Sequence, residues 1–162
     1  MPVTATTHDL ESRTITITAD FAAPVERVWQ IYADPRQLER TWGPPSHPAT
    51  FAAHDLTPGG RMHYYLTGPD GEKYFGVWEV RDVDAPNSFT FADGFAADDT
   101  YAVNPDLPVG VTTFCFTPNG DGTRMIAVTT YPTVEALQQV LDMGAIEGAT
   151  QAMAQIDDLL AA

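Results

Sequence analysis

One cysteine, Cys115, is all the sequence carries, so no intrachain disulfide can hold its fold together. Basic residues are scarce: 8 Lys and Arg stand against 22 Asp and Glu, for a formal net charge of −14. That field repels a phosphate backbone and no basic cluster offsets it, so nucleic acid and anionic membranes are poor partners. The acid excess reads first as a solubility device. No run approaches the roughly eighteen uncharged apolar residues of a membrane span. Residues 1–13 lack a basic segment followed by an apolar one, which reads as no secretory signal and a cytoplasmic protein. Catalytic signatures are missing too: there is no Gly-x-Ser-x-Gly, no His-Glu-x-x-His and no phosphate-cradling glycine loop. No catalytic residue and no cofactor is therefore assigned. What is present is a hydrophobic fraction of 44% over 162 residues, too apolar for disorder and enough for one sizeable core.

The pattern along the chain divides in three. Residues 1–13 are Thr-rich and read as a flexible N-terminal tail, with a single domain over 14–162. Thr14 to Phe21 alternates Ile15 and Ile17 with threonines, the period-two signature of a strand. Pro24 opens a short helix carrying Val25, Val28, Trp29 and Tyr32 on one face, and Asp34 caps a second one through Arg40. From about Ala49 six strands follow, separated by turn residues: 50–56, 61–67, 73–83, 88–95, 111–117 and 123–131. A longer acidic loop, 96–110, interrupts them. Thr133 then caps a proline-free stretch in which Val134, Leu137, Leu141, Ala145, Ala149, Ala152, Ile156 and Leu159 recur at steps of three or four. This predicts one helix of about thirty residues, ~45 Å long. The expected architecture is α+β: a curved seven-stranded antiparallel sheet wrapped around a long C-terminal helix, with two short helices after the first strand. A curved sheet and a straight helix do not pack flush, so a gap is expected between them.

Several segments in this order carry a family resemblance. They are Ala23-Pro24-Val25-Glu26-Arg27-Val28-Trp29, Asp34-Pro35-Arg36-Gln37-Leu38, Trp42-Gly43-Pro44, Pro58-Gly59-Gly60-Arg61, Gly68-Pro69-Asp70-Gly71 and Gly76-Val77-Trp78-Glu79-Val80. Together they resemble the family named after the C-terminal domain of the activator of the Hsp90 ATPase, within the START-like, or polyketide-cyclase-like, superfamily. Two departures stand out. Thr41 replaces the first residue of a frequent Trp-Trp pair, and the chain leaves no room for the additional N-terminal domain of eukaryotic activators. The resemblance implies a helix-grip fold. Related domains bind lipids, hormones or polyketides, cyclise polyketides, or touch other proteins, so it implies no single chemistry.

Strand alternation supplies the candidate lining of the gap. Met62, Tyr64 and Leu66 share a face opposite Arg61 and His63 and should point toward the helix. Trp78 should point the same way, as should Phe89 and Phe91. Trp29 and Trp42 would plug one end. On the covering helix Gly144 and Gly148 fall on the face of Leu141 and Ala152, each costing about 1 kcal/mol relative to alanine. Small residues opposite large aromatics point to unfilled space. Asp93 reads as an exposed rim carboxylate; burial would raise its pKa. Cys115 reads as a small buried hydrophobe. His54 and His63 lie on neighbouring strands without a third ligand, so no metal site is assigned.

These features favour binding of a small hydrophobic or aromatic molecule. The alternatives are a cyclase- or hydrolase-type enzyme, using tyrosine or aspartate as acid or base, and a module contacting an Hsp90-type chaperone. An exposed strand edge or the 96–110 loop offers a surface for a homodimer.

Overall fold

The structure is a computed structural model and describes residues 2–162. In chain order its elements are β1 (Val3–Asp9), β2 (Thr14–Phe21), α1 (Val25–Ala33), α2 (Pro35–Leu38), β3 (Ala49–His54), β4 (Arg61–Thr67), β5 (Lys73–Asp84), β6 (Ser88–Ala96), β7 (Gly110–Asn119), β8 (Gly122–Thr130), α3 (Val134–Asp142) and α4 (Ala145–Ala161). The strands form one antiparallel sheet in the order β1-β2-β8-β7-β6-β5-β4-β3. Apart from β1 and β2, the sheet is a meander from β3 to β8. It closes by laying β2 beside β8, which brings the start of the domain next to its last strand. The fold is α+β of helix-grip type.

Two expectations are corrected. The sheet has eight strands rather than seven, because the N-terminal segment is not a flexible tail. Val3–Asp9 pairs with β2 from Val3↔Ala19 to Asp9↔Thr14. Its side chains are almost all exposed, so it lacks the apolar alternation that marks a half-buried strand. What holds it is the backbone ladder and β-branched threonines suited to a pleated surface.

The C-terminal helix is likewise two helices. It breaks at Met143 and Gly144, where Gly144 adopts φ +82° and ψ 30°. A left-handed residue ends a helix, and glycine takes that conformation without a Cβ penalty. The Gly144 N–H donates to the Leu141 carbonyl at 3.1 Å, and its own carbonyl accepts from Gly148 N–H at 2.9 Å, so one residue ends α3 and starts α4. The apolar period runs through the break unchanged, which hides it from a pattern reading. At the start of α3, Thr133 accepts from Ala136 N–H at 3.0 Å. Thr133→Ala should cost about 1 kcal/mol, read as a thermal midpoint lower by roughly 2–4 °C. An unchanged midpoint would show that the cap contributes nothing.

The core sits on the concave face of the sheet. Trp78, Phe89, Phe91, Phe116, Met62, Met125 and Leu137 are fully buried there. Trp78 stacks on Phe91 with centroids 4.0 Å apart, and Phe89 continues the array. The α1 helix closes one end: Tyr32 packs on Phe89, Phe114 and Phe116, and Trp29 meets Phe89 and Phe116 edge-on. The close backbone contacts of α4 with the sheet are to β1 and β2. The helix therefore grips the sheet at its β1–β2 edge and stands away from the strands in the middle.

Candidate functional site

Between the helix pair and the middle strands lies a cavity of about 400 Å³. Its floor is Phe91 and Phe95 of β6, Phe114 of β7 and Ile15 and Ile17 of β2. Tyr64 and Leu66 of β4 and Trp42 form a wall. The roof is the small face of α4, from Ala145 through Gly148 and Ala149 to Ala152, with Met153 and Ile156 beyond. A Cβ built on Gly148 would meet nothing within 4 Å, so this glycine leaves space rather than allowing close helix–sheet contact. Gln155 of α4 donates to the Gly43 carbonyl at 2.6 Å and fixes the Trp42–Pro44 loop against the roof.

Of the twelve residues expected to line this space, Trp42, Tyr64, Leu66, Phe91, Gly148 and Ala152 do so. The other six do not. Met62, Trp78 and Phe89 point to the same face but are fully buried by neighbouring side chains, Phe89 by Trp29 and Tyr32 of α1. Trp78 is sealed by Phe91 and by the edge of Trp42, whose centroid is 4.7 Å away. Trp29 packs at the α1 end. Leu141 packs partly buried against the core, outside the cavity. Gly144 forms the helix break instead of the roof. Alternation identified the inward face correctly but could not separate residues that fill the core from those that border the gap.

Asp93 is the site's main correction. It is not a rim residue. It follows Phe89 and Phe91 on the inward face of β6 and lines the cavity. The residue keeps some accessible surface, but this faces the cavity; its carboxyl lies beneath the protein surface, and burial pushes its pKa up to about 7. The Tyr64 hydroxyl donates to Asp93 Oδ1 at 3.3 Å and pulls the other way, less strongly. Tyr64 itself is raised well above the usual phenol range, first by burial and then by the Asp93 charge.

Tyr64 can reach Asp93, two strands away, because β5 carries glycine between them. Gly76 pairs with Tyr64, and a Cβ at Gly76 would fall 2.2 Å from the tyrosine ring. The ring lies across the bare backbone there, stacked on Phe51 at 5.2 Å. Tyr131, just past β8, also lines the cavity and went unnoticed in the sequence. Burial, and then the charge of Asp93, raise its hydroxyl to about 12. Its signal was the alternation Ala127, Thr129, Tyr131, all three of which face inward. Thr112 and Thr129 share a hydrogen bond of 2.7 Å on the same wall. The Trp78 indole N–H is buried without a hydrogen-bond partner. It lies close enough to Tyr64 to favour the phenolate but outside bonding geometry.

The remaining candidates are structural. His54 contacts the Tyr32 carbonyl at 2.8 Å, while His63 stacks on Tyr101 at 4.4 Å on the opposite face of the sheet. No group of three metal-ligating side chains occurs among the described residues. Cys115 is exposed, not buried, because it occupies the outward register of β7. No helix among the described residues is long and apolar enough to cross a membrane.

Comparison with known proteins supports the fold. The family model for activator of Hsp90 ATPase homolog 1-like protein matches residues 22–161. Among solved structures, protein Ms6760 from Mycobacterium smegmatis is 63% identical, with a TM-score of 0.91 over 98% of this chain and 97% of that one. A protein from Arthrobacter aurescens is 43% identical, with a TM-score of 0.93 over 98% of this chain and 92% of that one. One from Staphylococcus epidermidis is 26% identical, with a TM-score of 0.81 over 99% and 93%. No curated protein matches the chain.

Proposed function

The chain belongs to the activator of Hsp90 ATPase homolog 1-like family, and on that premise we propose that it binds a small hydrophobic or aromatic molecule in the cavity beneath α3 and α4. The observation that carries this reading is the open space over Gly148, facing an aromatic floor. The volume of about 400 Å³ falls within the ~300–1,000 Å³ of small-molecule sites. Protein interiors otherwise pack to crystal-like density. An enclosed empty void of this size would cost on the order of 10 kcal/mol, as much as a domain's whole stability. Water entering from the mouth relieves that cost, but it finds few polar partners on these walls. An apolar ligand displaces it with a gain. Asp93, Tyr64, Tyr131 and the Thr112–Thr129 pair are the few polar groups that would orient the ligand.

Replacing Gly148 with leucine tests the proposal. The side chain enters open space, so the fold should survive, and the helix should gain a few tenths to about 1 kcal/mol. The probe is 2-(2-naphthyl)ethanol, uncharged and shaped for an aromatic slot. Its affinity should fall by about tenfold or more in the variant, since the leucine occupies the volume the ring needs. Equal affinity for both proteins would sink the proposal.

A further inference from the structure

Asp93 is the one formally charged side chain among the described residues that line the cavity. It meets no cation there. Arg124 pairs with Asp20 at 2.8 Å, and Arg36 with Glu39 at 3.3 Å, both outside the lining. Among the described residues one hydrogen bond reaches the Asp93 carboxyl, from Tyr64 to Oδ1, and Oδ2 has no protein partner. A buried carboxylate held by a single long hydrogen bond is costly unless something else completes it. The groups that face it offer no positive charge: Tyr64 on β4 and Tyr131 after β8 are phenols. The cavity-facing residues of α3 and α4 are all uncharged.

We infer that the ligand carries a protonated amine on an apolar or aromatic body, and that the amine seats against Asp93 between the Tyr64 and Tyr131 rings. This rests on the cavity-binding reading above and names the ligand class it admits. Three observations support a cation. The free carboxylate oxygen accepts a charge-assisted hydrogen bond. The aromatic rings that line the cavity, among them Tyr64, Phe91 and Tyr131, suit a cation better than an anion. The net charge of −14 draws cations toward the protein and repels carboxylate-bearing lipids.

The experiment uses three probes with one ring system: 2-(2-naphthyl)ethylamine as cation, 2-(2-naphthyl)ethanol as neutral reference and 2-naphthylacetate as anion. Binding is measured by calorimetry at about pH 8, where the carboxyl of Asp93 is mostly ionised. The amine should bind about tenfold tighter than the alcohol, and the acetate about tenfold weaker. In Asp93→Asn the amine's advantage over the alcohol, measured on the same variant, should disappear. Should the variant fold poorly, the wild-type protein carries the same test: the amine's advantage should shrink on going to about pH 5.5, where Asp93 is protonated and the amine still charged. An amine no tighter than the alcohol, or an advantage that persists in Asp93→Asn or at the lower pH, would overturn the amine site alone. Binding by none of the three overturns the cavity reading and this one with it.

Discussion

Gly76→Val should lower the thermal midpoint by roughly 5–10 °C, although valine is the better strand residue. On propensity alone the change would stabilise the interior strand β5 by up to about 1 kcal/mol. Contact geometry decides against it. The new Cβ would lie 2.2 Å from the Tyr64 ring, and that ring has little room to move. It is 8% exposed, stacked on Phe51 and met edge-on by Trp42. Displacing it strains the core by about 1–3 kcal/mol. It also breaks the bond to Asp93, worth a further ~1.5 kcal/mol or more because the acceptor can be charged. The net loss of about 2–4 kcal/mol sets the expected shift. Truncating the ring should relieve it: Tyr64→Ala with Gly76→Val should be more stable than the sum of the single changes by over ~1 kcal/mol. Strict additivity, or a single variant as stable as the parent, would mean that the ring does not lie across Gly76.

The second large effect is on the pH dependence of stability. Folding raises the Asp93 pKa from 3.8 to about 7, so between those values the folded protein binds more protons than the unfolded chain. Stability then falls as pH rises. The contribution of Asp93 is complete below its unfolded pKa and is lost as pH passes the folded one. A shift of this size corresponds to as much as about 4 kcal/mol, less to the extent that water in the cavity solvates the carboxylate. Asp93→Asn removes the charged form. Wild type and variant should be of similar stability near pH 4, and the variant should be about 2–4 kcal/mol more stable near pH 8. Asp20, Asp34 and Asp98 are shifted downward by their hydrogen bonds and act in the opposite direction, but they are common to both proteins and cancel in the difference. Parallel urea-unfolding stabilities across this range would show that Asp93 is not buried as described.

Periodicity carried most of the fold. The strands from β2 to β8 stand within a few residues of their expected limits, because each half-buried strand alternates and each turn carries Gly, Pro, Asn or Asp. Where one physical signal was silent, the reading failed. Both faces of β1 are wet, so burial leaves no alternation in Val3–Asp9. A left-handed glycine breaks α3 from α4 without disturbing the three–four spacing on either side. Met62, Trp78 and Phe89 share the inward face of the sheet with the residues that do line the cavity. Whether an inward side chain borders the gap depends on what packs over it, as α1 covers Phe89 and Trp42 covers Trp78, which is tertiary information. Asp93 was legible by parity with Phe89 and Phe91, but a carboxylate beside Gly94 reads more naturally as a strand end. The Tyr64 hydroxyl offsets part of the cost of its burial.

The central claim is that a small apolar molecule occupies the space between α4 and the middle strands. The most direct measurement is an amide chemical-shift titration of the isotope-labelled protein with 2-(2-naphthyl)ethanol. Saturable shifts should concentrate on Gly148, Ala149 and Ala152 of the roof and on Phe91 and Asp93 of the floor, while β1 and the outward face of β7 stay still. Shifts scattered over the surface, or none at millimolar probe, would contradict the claim and mean that the cavity holds water alone.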